Sequence, residues 1–72
     1  MNRITFDQKI LGGKPIIQGT RIAVDFILEL LAQGMTPDEI ISEYPQLTKD
    51  DIQAALQYAA DSLKREEVFF PA

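Results

Sequence analysis

Hydrophobic and polar residues follow two different spacings, and the change between them divides the chain near residue 23. Before that point, Arg3 to Phe6 alternate polar and apolar residues, which is typical of a half-buried strand. Ile16-Ile17 is a β-branched pair of the kind favoured on a pleated surface. After residue 23, apolar residues recur at helical spacing. We therefore expect a short β element ahead of a helical region.

The stretch from Gly12 to Ile22 contains the turns of this β element. Gly12-Gly13 permits a turn with positive φ, and Pro15 pushes the residue before it towards an extended conformation. A second turn is predicted at Gly19-Thr20. We expect two or three very short strands over residues 4–22, which place Lys14 and Arg21 on a rigid platform. The alternative is a structural corner that carries two solvated cations.

The first helix is predicted over residues 24–33, with Gly34 as its terminator. Only Asp25, Glu29 and Gln33 are clearly polar, so this helix is apolar on most sides. In so short a chain that pattern indicates a subunit interface as well as a core, and we expect a homodimer. The residues expected at the dimer interface are Phe26, Leu30 and Tyr58.

The second and third helices have clear start signals. Thr36 is the predicted N-cap of the second helix, with Pro37 in its first position and Glu39 as its partner in a capping box. Pro45 ends that helix. Thr48 caps a third helix, which is predicted to run to about residue 64 or 65. Its predicted buried residues are Ile52, Ala55, Leu56, Ala59 and Leu63.

Together these elements predict a mainly α fold, in which a short N-terminal β-hairpin precedes a three-helix, helix-turn-helix (homeodomain-like) bundle. One domain is expected over residues 1–72, with the β element in 1–22, the helices in 23–65 and a tail in 66–72. The third helix is a poor recognition helix for DNA. Its first turn carries Asp50 and Asp51, and carboxylates repel phosphates.

The net charge of −4 is unevenly distributed along the chain. Residues 1–22 carry four basic residues and one acidic residue, whereas residues 23–72 carry three basic residues and ten acidic ones. The β element is therefore the better surface for DNA. For Arg21 the alternative is an internal ion pair with a helix carboxylate. The candidate DNA-binding residues are Arg3, Lys9, Lys14 and Arg21.

Four spaced motifs resemble the bacterial and archaeal family known as domain of unknown function 433. They are Gly-Lys-Pro-x-Ile-x-Gly-Thr-Arg-Ile in 13–22, Gly-Met-Thr-Pro-Asp-Glu-Ile in 34–40, Tyr-Pro-x-Leu-Thr in 44–48 and Asp-Ile-x-Ala-Ala-Leu-x-Tyr-Ala in 51–59. The resemblance covers residues 3–67. Members of this family look like VapB-like antitoxins of type II toxin–antitoxin pairs. The family often has a cation where this chain has Gln18, a departure that weakens the basic surface.

The resemblance implies an antitoxin that binds and neutralises a PIN-like ribonuclease toxin, and that also regulates its own operon by binding DNA. Antitoxins of this type use a C-terminal segment, so the candidate toxin-binding residues are Val68, Phe69 and Phe70. The alternative for these aromatic residues is that they fold back on the core of their own domain. The acidic helices complement the basic rim expected of an RNA-cleaving partner. Two other functions stay open: a stand-alone helix-turn-helix-like DNA-binding regulator without a toxin, and a structural interaction module.

Enzyme activity is not expected. The chain has no histidine and no cysteine, so it lacks the usual base for neutral pH and the usual thiol nucleophile, and we predict no cofactor and no metal. No apolar run approaches the ~20 residues that span a bilayer. The absence of cysteine is typical of a protein in the reducing cytoplasm, where we expect this chain to act.

Overall fold

The structure, a computed structural model, describes residues 3–65. Two strands, β1 (Ile4–Phe6) and β2 (Pro15–Ile17), are followed by three helices. The helices are α1 (Val24–Ala32), α2 (Pro37–Glu43) and α3 (Lys49–Arg65). The predicted fold class, a short hairpin followed by three helices, is confirmed. In these residues no helix is both long enough and apolar enough to cross a membrane.

The two strands pair antiparallel, with Ile4 opposite Ile17 and Phe6 opposite Pro15. The segment between them includes a 3₁₀ turn over Leu11–Gly13. Gly13 has a φ of +85°, and a Cβ at this position would lie 2.7 Å from the Nε2 atom of Gln8. The positive φ favours glycine at this turn, whereas the exposed side chain of Gln8 could move away from a Cβ.

A third extended segment follows β2 after the second predicted turn. The backbone N–H of Thr20 donates to the carbonyl of Ile17 at 3.0 Å, which closes the turn. The N–H of Ile17 then donates to the carbonyl of Ile22, and Ile16 forms an isolated bridge with Ala23. The expectation of two or three very short strands is confirmed by β1 and β2, and the isolated bridge at Ala23 lies just beyond the predicted residues 4–22.

The helix ends follow the signals in the sequence. The Thr36 hydroxyl accepts a hydrogen bond from the N–H of Glu39 at 3.2 Å, and the Glu39 carboxylate accepts one from the N–H of Thr36 at 2.8 Å. This is the predicted capping box. Helix α1 ends one residue earlier than predicted, and Gly34 after it has a φ of +99°. The left-handed glycine at this position is typical of a helix C-terminus.

The core lies between β2, the inner face of α1 and the first half of α3. Ile17 and Ile27 are almost completely buried there, and burying such a side chain stabilises the fold by about 1.5–3 kcal/mol. Leu28, Leu30 and Tyr58 pack against this core while remaining half-buried. The buried residues of the cluster are Ile4, Ile17, Val24, Ile27, Ile40, Leu47, Ile52 and Ala55.

The predicted buried side of α3 is wrong for two residues. Leu56 is 42% exposed and Leu63 is 60% exposed, although both fit the apolar spacing. For Leu63 the reason is the length of α2, which has seven residues against seventeen in α3, whereas Leu56 borders the open groove between the starts of the two helices. At 1.5 Å per residue, α2 is too short to run alongside the whole of α3. The buried side of α3 instead includes Asp51, which the apolar pattern does not mark.

Candidate interaction surfaces

Arg3, the first candidate DNA-binding residue, is engaged with carboxylates of α3. Its Nη1 atom donates to the Oδ1 atom of Asp51 at 3.1 Å, and its Nη2 atom lies 3.5 Å from the Oδ2 atom of Asp50. The Arg3 carbonyl also accepts a hydrogen bond from the N–H of Gln18 at 2.8 Å. Arg3 therefore ties the start of β1 both to the sheet and to the beginning of α3.

Asp51 is a structural residue whose burial and pairing with Arg3 the sequence reasoning missed. It is only 5% exposed, and both of its carboxylate oxygens are used. Oδ1 accepts from Arg3, while Oδ2 accepts from the N–H of Thr48 at 3.0 Å. The Thr48 hydroxyl in turn accepts from the N–H of Asp51 at 3.2 Å, as in a capping box. The signal that could have found it is a threonine followed three residues later by an acid, at Thr48 and Asp51.

Lys14 forms the second link between the β element and the helices. Its Nζ atom lies 3.0 Å from the Oδ2 atom of Asp25, in the first turn of α1. More than half of each side chain is exposed, so solvent and salt screen this pair. The internal ion pair suggested for Arg21 is thus made by Lys14 instead, and two of the four candidate cations face carboxylates of their own chain.

Lys9 and Arg21 are the other two candidates, and both are exposed. Neither side chain forms an ion pair with another residue in 3–65. Arg21 borders a shallow depression of about 380 Å³, together with Phe6 and Thr20. Among the described residues of the β element, Lys9 and Arg21 are therefore the candidate cations that form no ion pair, and Asp7 lies near Lys9 in the same loop.

The three candidate dimer-interface residues lie at different places. Phe26 is 40% exposed and packs edge-on against the ring of Tyr44, with 5.5 Å between the ring centroids. Leu30 is half-buried against the core. Tyr58 contacts the exposed ring of Phe6, with 6.3 Å between centroids. Phe26 and Tyr58 each belong to an aromatic pair at the surface, whereas Leu30 belongs more to the core.

The first turn of α3 faces a groove beside the start of α2. Lys49 Nζ lies 3.2 Å from the Oδ1 atom of Asp38, and both side chains are largely exposed. The groove has a volume of about 270 Å³. Its lining residues are Thr36, Pro37, Asp38, Lys49, Ile52, Gln53 and Leu56. The positions that contact bases in a helix-turn-helix protein are here engaged in ion pairs or border an apolar groove.

Three further points concern metal binding, the tail residues and the exposed apolar side chains. Within residues 3–65, no group of three or more acidic side chains is arranged to bind a metal ion. The candidate toxin-binding residues, Val68, Phe69 and Phe70, lie outside the described residues. The exposed large apolar side chains of the described part are Phe6, Leu11, Phe26, Leu56 and Leu63.

A family model with the description "Protein of unknown function (DUF433)" matches residues 4–59. The chain belongs to the DUF433 family. Uncharacterized protein y4eO from Sinorhizobium fredii (strain NBRC 101917 / NGR234) is 34% identical over 68 residues, which are 92% of this chain and 31% of that protein. The crystal structure of a DUF433 member from Anabaena variabilis is similar with a TM-score of 0.81 and 31% identity, over 90% of this chain and 64% of that chain.

These comparisons confirm the family that the four motifs indicate. This DUF433 chain spans about a third of the length of y4eO and just under two thirds of the Anabaena variabilis chain. The family match includes both threonine caps and most of α3, but it begins after Arg3 and ends before the tail. Neither relative is described with an activity or a partner, so the antitoxin function stays a prediction.

Proposed function

We propose that this DUF433 chain is the antitoxin of a type II toxin–antitoxin pair, and that it binds and neutralises a PIN-like ribonuclease toxin in the cytoplasm. The observation that carries this proposal is that Arg3 is held by the buried carboxylate of Asp51 while five large apolar side chains stay exposed on the described surface. Phosphate binding needs available cations, whereas protein partners are anchored by apolar and aromatic side chains. The exposed apolar side chains, set against the few available cations, therefore favour a protein partner over DNA.

The helices supply the charge that this partner would meet. In α2 and the start of α3, Asp38, Glu39, Glu43 and Asp50 are all exposed. A ribonuclease must attract the RNA backbone, so the edge of its cleft is expected to be basic. An acidic helical surface complements such an edge, raises the rate of association and disfavours nucleic acid as a competing ligand. The tail residues Val68, Phe69 and Phe70 are the proposed anchors in the cleft.

The proposed assembly is a homodimer, with Phe26, Leu30 and Tyr58 near its interface. Phe26 supports the proposed dimer best, because it is an exposed aromatic residue on a mostly apolar helix. We expect Phe26→Lys to convert the dimer to a monomer in sedimentation equilibrium. Glu29→Lys, an exposed change on the same helix, is the control and should leave the assembly unchanged. A wild-type monomer would contradict the dimer.

The central experiment is co-expression of the tagged chain with the product of the adjacent gene. The chain should capture that protein and restore the growth that the protein alone suppresses. A variant lacking residues 66–72 should lose capture, whereas Glu66→Gln together with Glu67→Gln, which keeps the aromatic residues, should retain it. Undiminished capture by the shortened chain would reject the tail as the anchor, and capture of nothing would reject the antitoxin.

A second candidate is a DNA-binding regulator, acting alone or as the repressor of its own operon. Lys9 and Arg21 favour it, because both are exposed and form no ion pair within the described part. Binding to a duplex from the upstream region should weaken with salt. Each lost phosphate contact should reduce the slope of log K against log salt by about 0.9. Arg21→Ala should show this loss, and Lys64→Ala should not.

DNA binding with an unchanged salt slope in Lys9→Ala and Arg21→Ala would show that another surface is used. Arg3→Ala is unsuitable for this purpose, because it also removes the link between β1 and α3. A neighbouring gene for a small nuclease, together with capture of its product, would favour the antitoxin over the stand-alone regulator.

A further inference from the structure

The rings of Phe26 and Tyr44 form an aromatic pair that joins α1 to the end of α2. Their centroids are 5.5 Å apart and their planes meet at 88°, so the edge of one ring points at the face of the other. Phe26 is 40% exposed, and Tyr44 is half-buried. The Tyr44 hydroxyl forms no hydrogen bond with another described residue, although a phenol usually finds a partner when it is buried. Aromatic surface and one polar group are therefore available to a ligand.

The charge near this pair is negative. Residues 22–48 contain no lysine and no arginine. Glu29 and Glu43 are the two acids in residues 3–65 whose carboxylates form no hydrogen bond and no ion pair within that range. The other acids of the described part, each of which has such a partner, are Asp7, Asp25, Asp38, Glu39, Asp50, Asp51 and Asp61.

Both of these glutamates lie next to the aromatic pair along the chain. Glu29 follows Phe26 by three residues in α1, and residues at that spacing share a helix face, with about 5–6 Å between their Cβ atoms. Glu43 is the last residue of α2 and directly precedes Tyr44. Both glutamates are exposed. Because a ring face and a carboxylate each attract positive charge, this combination favours a cationic ligand.

We propose that this aromatic–acidic site, formed by Phe26, Tyr44, Glu29 and Glu43, binds an arginine side chain of a partner protein. A guanidinium is planar, so it stacks on the exposed face of Phe26 while its N–H groups donate to Glu29 and to the Tyr44 hydroxyl. Lysine fits less well, because its ammonium is more strongly hydrated and has no planar face. Phosphate is repelled by the two glutamates.

This inference rests on the proposed function for one point only, the identity of the partner as the toxin. The proposed dimer also uses Phe26 but leaves Glu29 outside its interface. The arginine is therefore assigned to the side of the Phe26 ring beside Glu29. Sedimentation equilibrium with saturating arginine peptide should leave the dimer intact. Dissociation of the dimer by the peptide would show that a second copy occupies the site, and would overturn the proposal.

The direct test is an NMR titration of the full ¹⁵N-labelled chain with three capped pentapeptides that differ only at the central residue. Two glycines on each side flank arginine, lysine or citrulline, the uncharged analogue of arginine. We expect the arginine peptide to bind about fivefold tighter than the citrulline peptide and about twofold tighter than the lysine peptide, with shifts at residues 25–30 and 43–45. Equal binding of arginine and citrulline, tighter binding of lysine, or shifts centred on Asp7 or Asp50 would overturn the proposal.

Two pairs of variants sharpen this test. Phe26→Leu keeps an apolar side chain but removes the ring, so it should weaken the arginine peptide about fivefold, whereas Phe6→Leu, at an exposed ring that pairs with Tyr58, should change it less than about twofold. Glu29→Gln should weaken the peptide about threefold, and Asp61→Asn, which removes the same charge from α3, should not. Thermal melts of each variant identify any loss of folding. Equal weakening by Phe26→Leu and Phe6→Leu would reject the site.

The arginine site and the antitoxin function can fail separately. Selective binding of the arginine peptide at residues 25–30 without capture of any toxin would support the site and contradict the antitoxin. Toxin capture that Glu29→Gln does not weaken would contradict the site and leave the antitoxin in place. If Glu29→Gln weakens both the peptide and the toxin while Asp61→Asn weakens neither, both proposals are supported.

Discussion

Helices α2 and α3 begin with the same local arrangement but differ in what it does for the molecule. In each, a threonine hydroxyl accepts from the N–H three residues later at 3.2 Å, and the acid at that position accepts from the threonine N–H. At α2 the acid is the exposed Glu39. At α3 it is the buried Asp51, which also binds Arg3. One arrangement only starts a helix, and the other also attaches the β element to it.

This comparison indicates that a capping motif determines where a helix begins, while the burial of its acid determines how much the motif contributes to the free energy of unfolding. An exposed carboxylate that loses its partner can be solvated by water. A buried one must satisfy both oxygens within the protein, because an unpaired buried charge is costly. Asp51 satisfies its two oxygens with two different parts of the chain, so removing it should affect helix start and tertiary attachment together.

The largest effect is expected for Asp51→Ala. It removes one cap interaction and leaves the half-buried guanidinium of Arg3 without its main partner, so the free energy of unfolding should fall by about 2–3 kcal/mol. Urea unfolding followed by circular dichroism measures this loss. The control is Asp50→Ala, its exposed neighbour, which should cost less than about 1 kcal/mol. Similar losses for the two variants would show that burial does not distinguish these acids.

Most of the fold could be predicted because its determinants are local. The capping box at Thr36 is visible within four consecutive positions, 36–39, and the turn at Gly12-Gly13 is visible from a glycine pair. The pairing of Arg3 with Asp51 spans 48 positions, and no periodicity carries that information. Leu56 and Leu63 were predicted buried for a related reason. Spacing assigns them to one face, but whether that face is covered depends on how far the neighbouring helix extends and how closely its first turn packs against α3.

The candidate sites were predicted less completely than the fold. The residue types of the basic surface were evident from the sequence, but two of its four cations find acids on distant elements. The groove beside Leu56 is formed by two helix starts that come together only in the folded chain. The composition of a binding surface depends on which helices and strands become neighbours in the fold, and a single sequence carries little information about those neighbours.

Arg3→Gln should have the next largest effect. The variant replaces the guanidinium by a neutral amide that can still donate to Asp51, and it leaves the cap between Asp51 and Thr48, so we expect a loss of about 1–2 kcal/mol. Hydrogen exchange should show faster opening at residues 4–6, because β1 loses its attachment to α3, while amides in α2 stay protected. Equal acceleration across both regions would indicate global destabilisation and contradict the specific role given to Arg3.

Glu39→Ala should have a smaller effect, because the Glu39 carboxylate is exposed. It removes half of the box at Thr36, so the expected loss is about 0.5 kcal/mol, or a few degrees in Tm for a domain of this size. Glu43→Ala, an exposed acid at the other end of α2, is the matched control. If Glu39→Ala lowered the free energy of unfolding as much as Asp51→Ala does, exposed and buried caps would not differ in their contribution to stability.

The smallest effect is expected for the exposed pair of Lys14 and Asp25. A double-mutant cycle with alanine at both positions should give a coupling free energy of about 0.2–0.5 kcal/mol that disappears in high salt. The corresponding cycle for Arg3 and Asp51 should stay above about 1 kcal/mol under the same conditions. A weak, screened coupling would mean that a phosphate can displace Asp25 and recruit Lys14. A strong coupling at high salt would instead exclude Lys14 from DNA binding as firmly as Arg3, and would strengthen the case for a protein partner.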